Sequence, residues 1–293
     1  MLNFNLSGLL KIKSIVIILI LFSSAVSSQT QRVLIIGDSW AQLQIDNDSH
    51  NQVFADNGYA NISISPSSDT TSDNGLEAAD WASTAGLQTI VDTLNSNPEI
   101  DTVQLTIGGN DFLNAWHTNM TAQQESNLQQ QISSDLNTII SAILAIDTNI
   151  EILLSFYDYP NFEDTIGGLF GATCNDLNND MQQPTTFDLN TAATEFEEIY
   201  AQIAMTQPRV FHVSHFGLMQ SYFGFPDDNI QPGDILPPGD LTRPSPLEAM
   251  RDFVVTRDCF HLSPLGYEYL VQNSFDGYFK NRFSDVLFSN SFE

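Results

Sequence analysis

The chain has 293 residues and a formal net charge of −27 at pH 7, with 9 lysines and arginines against 36 acids. So acidic a surface repels phosphate backbones and anionic headgroups, which argues against nucleic acid as a partner and against tight binding to anionic membrane. The acidity itself calls for nothing beyond solubility or salty surroundings, and 2 cysteines are too few for a structural zinc site of four ligands.

Residues 1–28 read as a secretory signal peptide. Lys11 and Lys13 form a basic start, residues 14–22 are apolar, and residues 23–28 (SSAVSS) offer small side chains for cleavage. The apolar run is short for a membrane span, and no later segment is long and apolar enough to serve as one. The remaining chain, residues 29–293, suffices for one large α/β domain, and no linker supports a second.

Residues 32–36 (RVLII) form a short apolar run before a Gly-Asp-Ser turn and predict a buried parallel strand, with a helix over 40–54. Residues 61–65 (NISIS) predict a strand nearer the sheet edge. Residues 76–94 have helical spacing, and 102–107 (TVQLTI) predict a strand that runs into Gly108-Gly109-Asn110-Asp111. The longest helical pattern covers 122–146, with Leu128, Ile132, Leu136, Ile139, Ile140, Ile143 and Leu144 on one face. A strand over 151–156 (EILLSF), a helix over 191–205, a strand over 210–213 and a last helix over 265–279 complete the alternation. Strands alternating with helices call for a parallel sheet covered on both faces, with active residues at the carboxyl ends of the strands. Two stretches near 161–184 and 225–256 break the rhythm and read as insertions that wall a pocket.

Ser39 stands where a strand turns into a helix, as a nucleophile at the top of the sheet or as a plain helix cap beside Asp38. Of the five histidines, His261 has an acid three positions earlier, so Asp258 can accept its Nδ1 proton and leave Nε2 for the serine. His212 and His215 form a His-x-x-His pair, and His50 follows the acidic turn Asp46-Asn47-Asp48. Neither has the further ligands of a metal site, and both read as structural histidines. Asn110 follows two glycines at a strand end, where its amide can face a developing oxyanion or simply fill a turn. Gly75 offers an unobstructed N–H or is a turn glycine. In an exported chain Cys174 and Cys259 either pair in a disulfide or remain two buried thiols.

The ordered set Gly37-Asp38-Ser39, Gly75, Gly108-Gly109-Asn110-Asp111 and Asp258-x-x-His261 resembles the four blocks of the SGNH/GDSL hydrolase superfamily, spanning about 32–283. The resemblance implies a three-layer α/β/α sandwich with a flavodoxin-like parallel sheet of about five strands, and ester hydrolysis with neither metal nor cofactor. It implies Ser39 as nucleophile, His261 as base and Asp258 as its orienting acid, with Ser39, Gly75 and Asn110 forming the oxyanion hole. Trp40 replaces the usual leucine, and the second block matches only through its glycine, leaving Gly86 as the alternative to Gly75. A Cys174–Cys259 bridge would pin the first insertion to the catalytic loop. The expected activity is a secreted carboxylic ester hydrolase acting on lipid, small-alcohol or acetylated-carbohydrate esters; a non-catalytic extracellular binding domain is the alternative. The aromatics Tyr222, Phe223 and Phe225 line an acyl pocket, form a sugar platform, or pack.

Overall fold

The structure, a computed structural model, describes residues 29–166, 172–253 and 256–284. The expected signal peptide and the tail at 288–293 lie outside the described residues.

The chain runs β1 (Thr30–Gly37), α1 (Ser39–Asp46), α2 (Ser49–Asp56), β2 (Ile62–Ile64), α3 (Ala78–Ala82), α4 (Thr84–Ser96), β3 (Thr102–Thr106), α5 (Gly109–Ala115) and α6 (Ala122–Leu144). It continues through β4 (Glu151–Ser155), α7 (Ala172–Asp180), α8 (Thr186–Thr206), β5 (Val210–Val213), α9 (Leu218–Phe223), β6 (Met250–Phe253), β7 (Thr256–Leu262) and α10 (Pro264–Ser274). Strands β2-β1-β3-β4-β5 form one sheet in that order, every pair parallel, and β6 and β7 form a separate antiparallel pair. The order reverses at β1/β3, and in doubly wound sheets ligands bind at the carboxyl ends of the strands flanking such a reversal.

Alternation along the strands divides the core into two layers. Leu34 and Ile36 of β1, Val103 and Leu105 of β3, and Ile152 and Leu154 of β4 pack with the apolar stripes of α4, α6 and α8. Val33, Ile35 and Leu153 face the other way, onto α2, Val271 of α10, and Phe275, Phe279 and Phe283. A three-layer sandwich results, because a parallel strand buried on both faces needs apolar partners on both. α6 starts at a capping box in which Thr121 and Gln124 each satisfy the other's backbone N–H. α10 starts at Ser263, whose hydroxyl accepts from the Gly266 N–H, with Pro264 in the first turn.

Several expected elements are subdivided. The helix read over 40–54 is α1 and α2, broken where Asp48 takes a left-handed φ of 54°. The one read over 76–94 is α3 and α4, separated by Ser83, which caps α4 through the Gly86 N–H. α8 begins at Thr186, five residues before the first one read as helical, because Thr185 supplies its cap. Among the described residues no helix is long and apolar enough to cross a membrane.

Candidate active site

The turn that carries Ser39 is built by close approach of β1 and β3. Gly37 sits opposite Thr106, and a Cβ at Gly37 would lie 1.9 Å from the Thr106 carbonyl oxygen, so only glycine fits. The Asp38 N–H then donates to that same carbonyl at 3.2 Å. Asp38, not Ser39, is the cap of α1: its Oδ1 accepts the Trp40 N–H at 2.9 Å. Ser39 is thereby the first residue of the helix, its hydroxyl not spent on capping. Its N–H has no acceptor among the described residues.

His261 Nε2 lies 2.8 Å from Ser39 Oγ, and His261 Nδ1 lies 2.8 Å from Asp258 Oδ2. The other carboxylate oxygen accepts the N–H groups of Phe260 at 2.8 Å and His261 at 3.0 Å, which fixes Asp258 against its own strand. Burial pushes the Asp258 carboxyl up, but the His261 hydrogen bond and charge, with the two N–H donors, outweigh it and hold the group below the usual carboxylate range. A carboxylate at Nδ1 keeps the proton there, so Nε2 is free to accept from the serine. Asp258 and His261 both lie on β7, with the buried Cys259 and Phe260 between them, on a strand paired with β6.

Asn110, the second residue of α5, is half-buried; its Nδ2 donates to the Leu76 carbonyl at 2.9 Å and lies 3.5 Å from Asp38 Oδ2. Asp111 Oδ2 accepts the Ala78 N–H at 2.9 Å, so the loop that carries Gly75 is held against the Asn110 turn from both sides. Gly75 is exposed, has a φ of 77°, and donates its N–H to no acceptor among the described residues. Gly86 is spent otherwise. Its N–H goes to Ser83 Oγ at 3.1 Å, and a Cβ there would meet the Asp80 carbonyl at 2.4 Å. Between the two glycines, the geometry favours Gly75.

Sequence reasoning missed Tyr157. Its hydroxyl donates to Asp38 Oδ2 and accepts the Gly109 N–H at 3.0 Å, joining the turns after β1 and β3 through a residue at the end of β4. A Cβ at Gly109 would lie 2.4 Å from the Tyr157 ring, which accounts for the second glycine of Gly108-Gly109. Asp38 is fully buried, and burial pushes its carboxyl up to about 7 against the lowering effect of Tyr157 and the Trp40 N–H. Burial and the Asp38 charge hold the Tyr157 phenol well above its ordinary value. The available signal was positional: Tyr157 follows the third strand whose carboxyl end meets the β1/β3 reversal.

Cys174 of α7 and Cys259 of β7 form a disulfide across 85 residues, with Cα atoms 5.9 Å apart. Together with Asp258 they are the only His/Cys/Asp/Glu group at metal-ligand spacing among the described residues, and both sulfurs are engaged in the bridge. Three of the other histidines have separate occupations. His50 Nε2 meets Gln104 Oε1 at 2.8 Å, and burial lowers its pKa to about 4. His215 Nε2 meets Ser274 Oγ at 2.9 Å, and burial lowers its pKa to about 3; His212 lies 3.4 Å from Glu197. Tyr222 and Phe223 pack on Tyr269 of α10, and Arg243 covers the Phe225 ring at 4.9 Å.

A family model described as GDSL-like Lipase/Acylhydrolase matches residues 33–273. Among solved structures, a Streptococcus pneumonia protein provisionally described as a platelet activating factor superposes with a TM-score of 0.52 at 15% identity, covering 87% of this chain and 86% of that one. Est24, a carbohydrate acetylesterase from Sinorhizobium meliloti, gives 0.48 at 12% identity over 84% of this chain and 97% of its own. The lipase Lip_vut3 from a goat rumen metagenome gives 0.47 at 11% over 85% and 98%. The first of these likenesses is one of fold. No curated protein matches the sequence significantly.

Proposed function

We propose that this carboxylic ester hydrolase, which belongs to the GDSL-like lipase/acylhydrolase family, is secreted and works through an acyl-enzyme on Ser39. The observation that carries the reading is the unbroken chain Asp258–His261–Ser39, with 2.8 Å at each link, between residues 222 positions apart. A resting hydrogen bond from a serine hydroxyl to an oriented imidazole is the ground state of general-base activation.

In the first half-reaction Ser39 Oγ attacks the ester carbonyl carbon while its proton passes to His261 Nε2. The Ser39 and Gly75 N–H groups and the Asn110 amide stabilise the oxyanion; the Asn110 Nδ2 proton not directed at Leu76 leaves its long 3.5 Å contact with Asp38 Oδ2 to do so. The alcohol leaves with the proton from His261. Water then attacks the acyl-enzyme, giving its proton to the same nitrogen, and Ser39 is released with it. Asp258 keeps the imidazole in one orientation and stabilises its charged form. Secretion is supported by the basic-apolar-small pattern over 1–28 and by the disulfide, a bond that persists in oxidising compartments. The substrates that fit this chemistry are esters of lipids, small alcohols or acetylated carbohydrates.

Hydrolysis of p-nitrophenyl acetate by the purified protein, abolished in Ser39→Ala and insensitive to chelator, is the expected result. Full activity in Ser39→Ala would refute the assignment.

A further inference from the structure

The Asn110 amide is already engaged before any substrate arrives. One Nδ2 proton goes to the Leu76 carbonyl at 2.9 Å, and the other faces Asp38 Oδ2 at 3.5 Å, well beyond the usual length of such a bond. The Leu76 bond orients the amide and ties it to the loop that carries Gly75. The contact with Asp38 works against the reaction, because it directs the remaining proton away from the oxyanion that needs it.

Asp38 is fully buried beside Ser39, and its two oxygens are shared among three donors. Oδ1 accepts the Trp40 N–H at 2.9 Å, which leaves Oδ2 to Tyr157 and Asn110. The Tyr157 hydroxyl is the stronger donor of the two, since it is itself polarised by accepting the Gly109 N–H at 3.0 Å. Its ring is held edge-on to Trp40 at 4.8 Å and stacked on Phe260 at 5.7 Å, so the hydroxyl meets Oδ2 from a fixed position. Without it, a buried carboxylate oxygen lacks its main donor, and the Asn110 amide is the other donor in reach. A charge-assisted bond is about twice as strong as a neutral one, and here it would keep the amide on Asp38 while the oxyanion forms.

We propose that Tyr157 is a positioning residue for the hydrolysis: by saturating Asp38 Oδ2, it leaves the second Nδ2 proton of Asn110 free to turn to the oxyanion. The inference rests on the reading of Asn110 as an oxyanion donor in the function proposed above, and adds a residue that acts only through Asp38 and Asn110.

Competition for Oδ2 is strongest when Asp38 carries its charge. Burial raises the Asp38 carboxyl to about 7. The groups facing it are His261 of β7, whose charge lowers it, Asp111 of α5, whose charge raises it, and the phenols of Tyr157, Tyr200 of α8 and Tyr267 of α10, all held well above their ordinary values. The cost of losing Tyr157 therefore grows as pH rises through about 7 and Asp38 becomes an anion.

The test measures kcat and KM for p-nitrophenyl acetate on the full chain, on Tyr157→Phe, on Asn110→Ala and on the double variant, each compared with its parent at the same pH so that the titration of His261 cancels. Tyr157→Phe is expected to lower kcat about 10- to 100-fold near pH 9 and only about threefold near pH 6, with KM unchanged. In the Asn110→Ala protein the same substitution should change kcat less than about twofold, because the proton it diverts is gone. Losses that multiply in the double variant, or a loss in Tyr157→Phe that ignores pH, would overturn the positioning role, since a merely structural hydroxyl behaves in that way. Should Tyr157→Phe not fold, the native protein inactivated with diethyl p-nitrophenyl phosphate decides: in a crystal structure of the Ser39 adduct, Asn110 Nδ2 is expected on the phosphoryl oxygen with the Tyr157 hydroxyl still on Asp38. An adduct with Asn110 held at Asp38, or with Tyr157 detached from it, would overturn the proposal. Unchanged kcat in Asn110→Ala would overturn it through its premise and leave the triad standing. Absence of hydrolysis in the native protein, or its survival in Ser39→Ala, would instead defeat the hydrolase reading and the proposal with it.

Discussion

Tyr157→Phe removes one hydroxyl and disconnects two turns. In the native fold that hydroxyl donates to the buried Asp38 carboxylate and accepts the Gly109 N–H at 3.0 Å, and the ring stays in place through Trp40 at 4.8 Å and Phe260 at 5.7 Å. The substitution therefore leaves the packing and orphans one acceptor and one donor. Each orphaned buried group costs about 1–3 kcal/mol, which puts the loss at roughly 2–6 kcal/mol with Asp38 ionised. The pH dependence separates the two contributions. Asp38 is raised from 3.8 to about 7 by burial, so its contribution to stability is fully present below its unfolded pKa and is lost as pH rises through about 7. Without the phenol donor its ionised form is held less well, so the penalty of the substitution grows as pH rises across that window.

Urea unfolding near pH 5, where Asp38 is neutral, should show mainly the loss at Gly109, about 1–3 kcal/mol; near pH 9 it should show both. Because Asp38 and Gly109 adjoin Ser39 and Asn110, kcat for p-nitrophenyl acetate should fall more than KM changes. A stability loss independent of pH, or smaller than about 0.5 kcal/mol throughout, would refute the connection.

Asp258→Asn should retain the fold and lower kcat about 10³- to 10⁴-fold, the scale seen when a triad loses its acid; a near-native rate would pass the orienting role to a backbone carbonyl. Cys174→Ala opens a loop of 85 residues and should cost about 4 kcal/mol in a denaturant titration; unchanged stability and activity, or two free thiols in the unreduced protein, would remove the bridge. Gly75→Ala, at a φ of 77°, should cost about 1 kcal/mol and, on the proposed role of its N–H as an oxyanion donor, depress kcat. Gly86→Ala, pressed against the Asp80 carbonyl, should lower stability and spare turnover, and the reverse pattern would exchange the two glycines.

The sheet was legible because each central strand is a short run rich in apolar or β-branched residues ending in a turn, and β5 was read at its observed bounds, 210–213. Ser39 and Asn110 stood out because each lies in a short motif just after a strand, and Asp258 and His261 because an acid stands three residues before a histidine; the structure brings Ser39, Asp258 and His261 into one hydrogen-bonded chain. The helix breaks were not: the departure of Asp48 into left-handed backbone is a local event that leaves the apolar spacing of α1 and α2 intact. α7 was hidden in a polar stretch whose helix packs little beyond Cys174 and Asn178. Tyr157 was hidden for a different reason. Its partners lie 119 and 48 residues away, and nothing in a tyrosine after a strand states which buried carboxylate it will meet.

Trp40 gives the departure from the family's leucine a physical meaning. It is fully buried, and its ring contacts Tyr157 at 4.8 Å, Phe260 at 5.7 Å and Tyr267 at 5.5 Å. Those three residues belong to the segment after β4, to β7 and to α10, whereas Trp40 itself follows Ser39 directly. A leucine reaches fewer of these elements at once, because an indole buries far more area and makes directed edge contacts. The last segment of the fold must return to the first, since α10 packs beside α1 and α2 and begins only three residues after His261. The indole sits where that return closes. It sets the distance between the helix that begins at Ser39 and the strand that carries His261, so the 2.8 Å contact between them is held by packing that extends well beyond the two side chains.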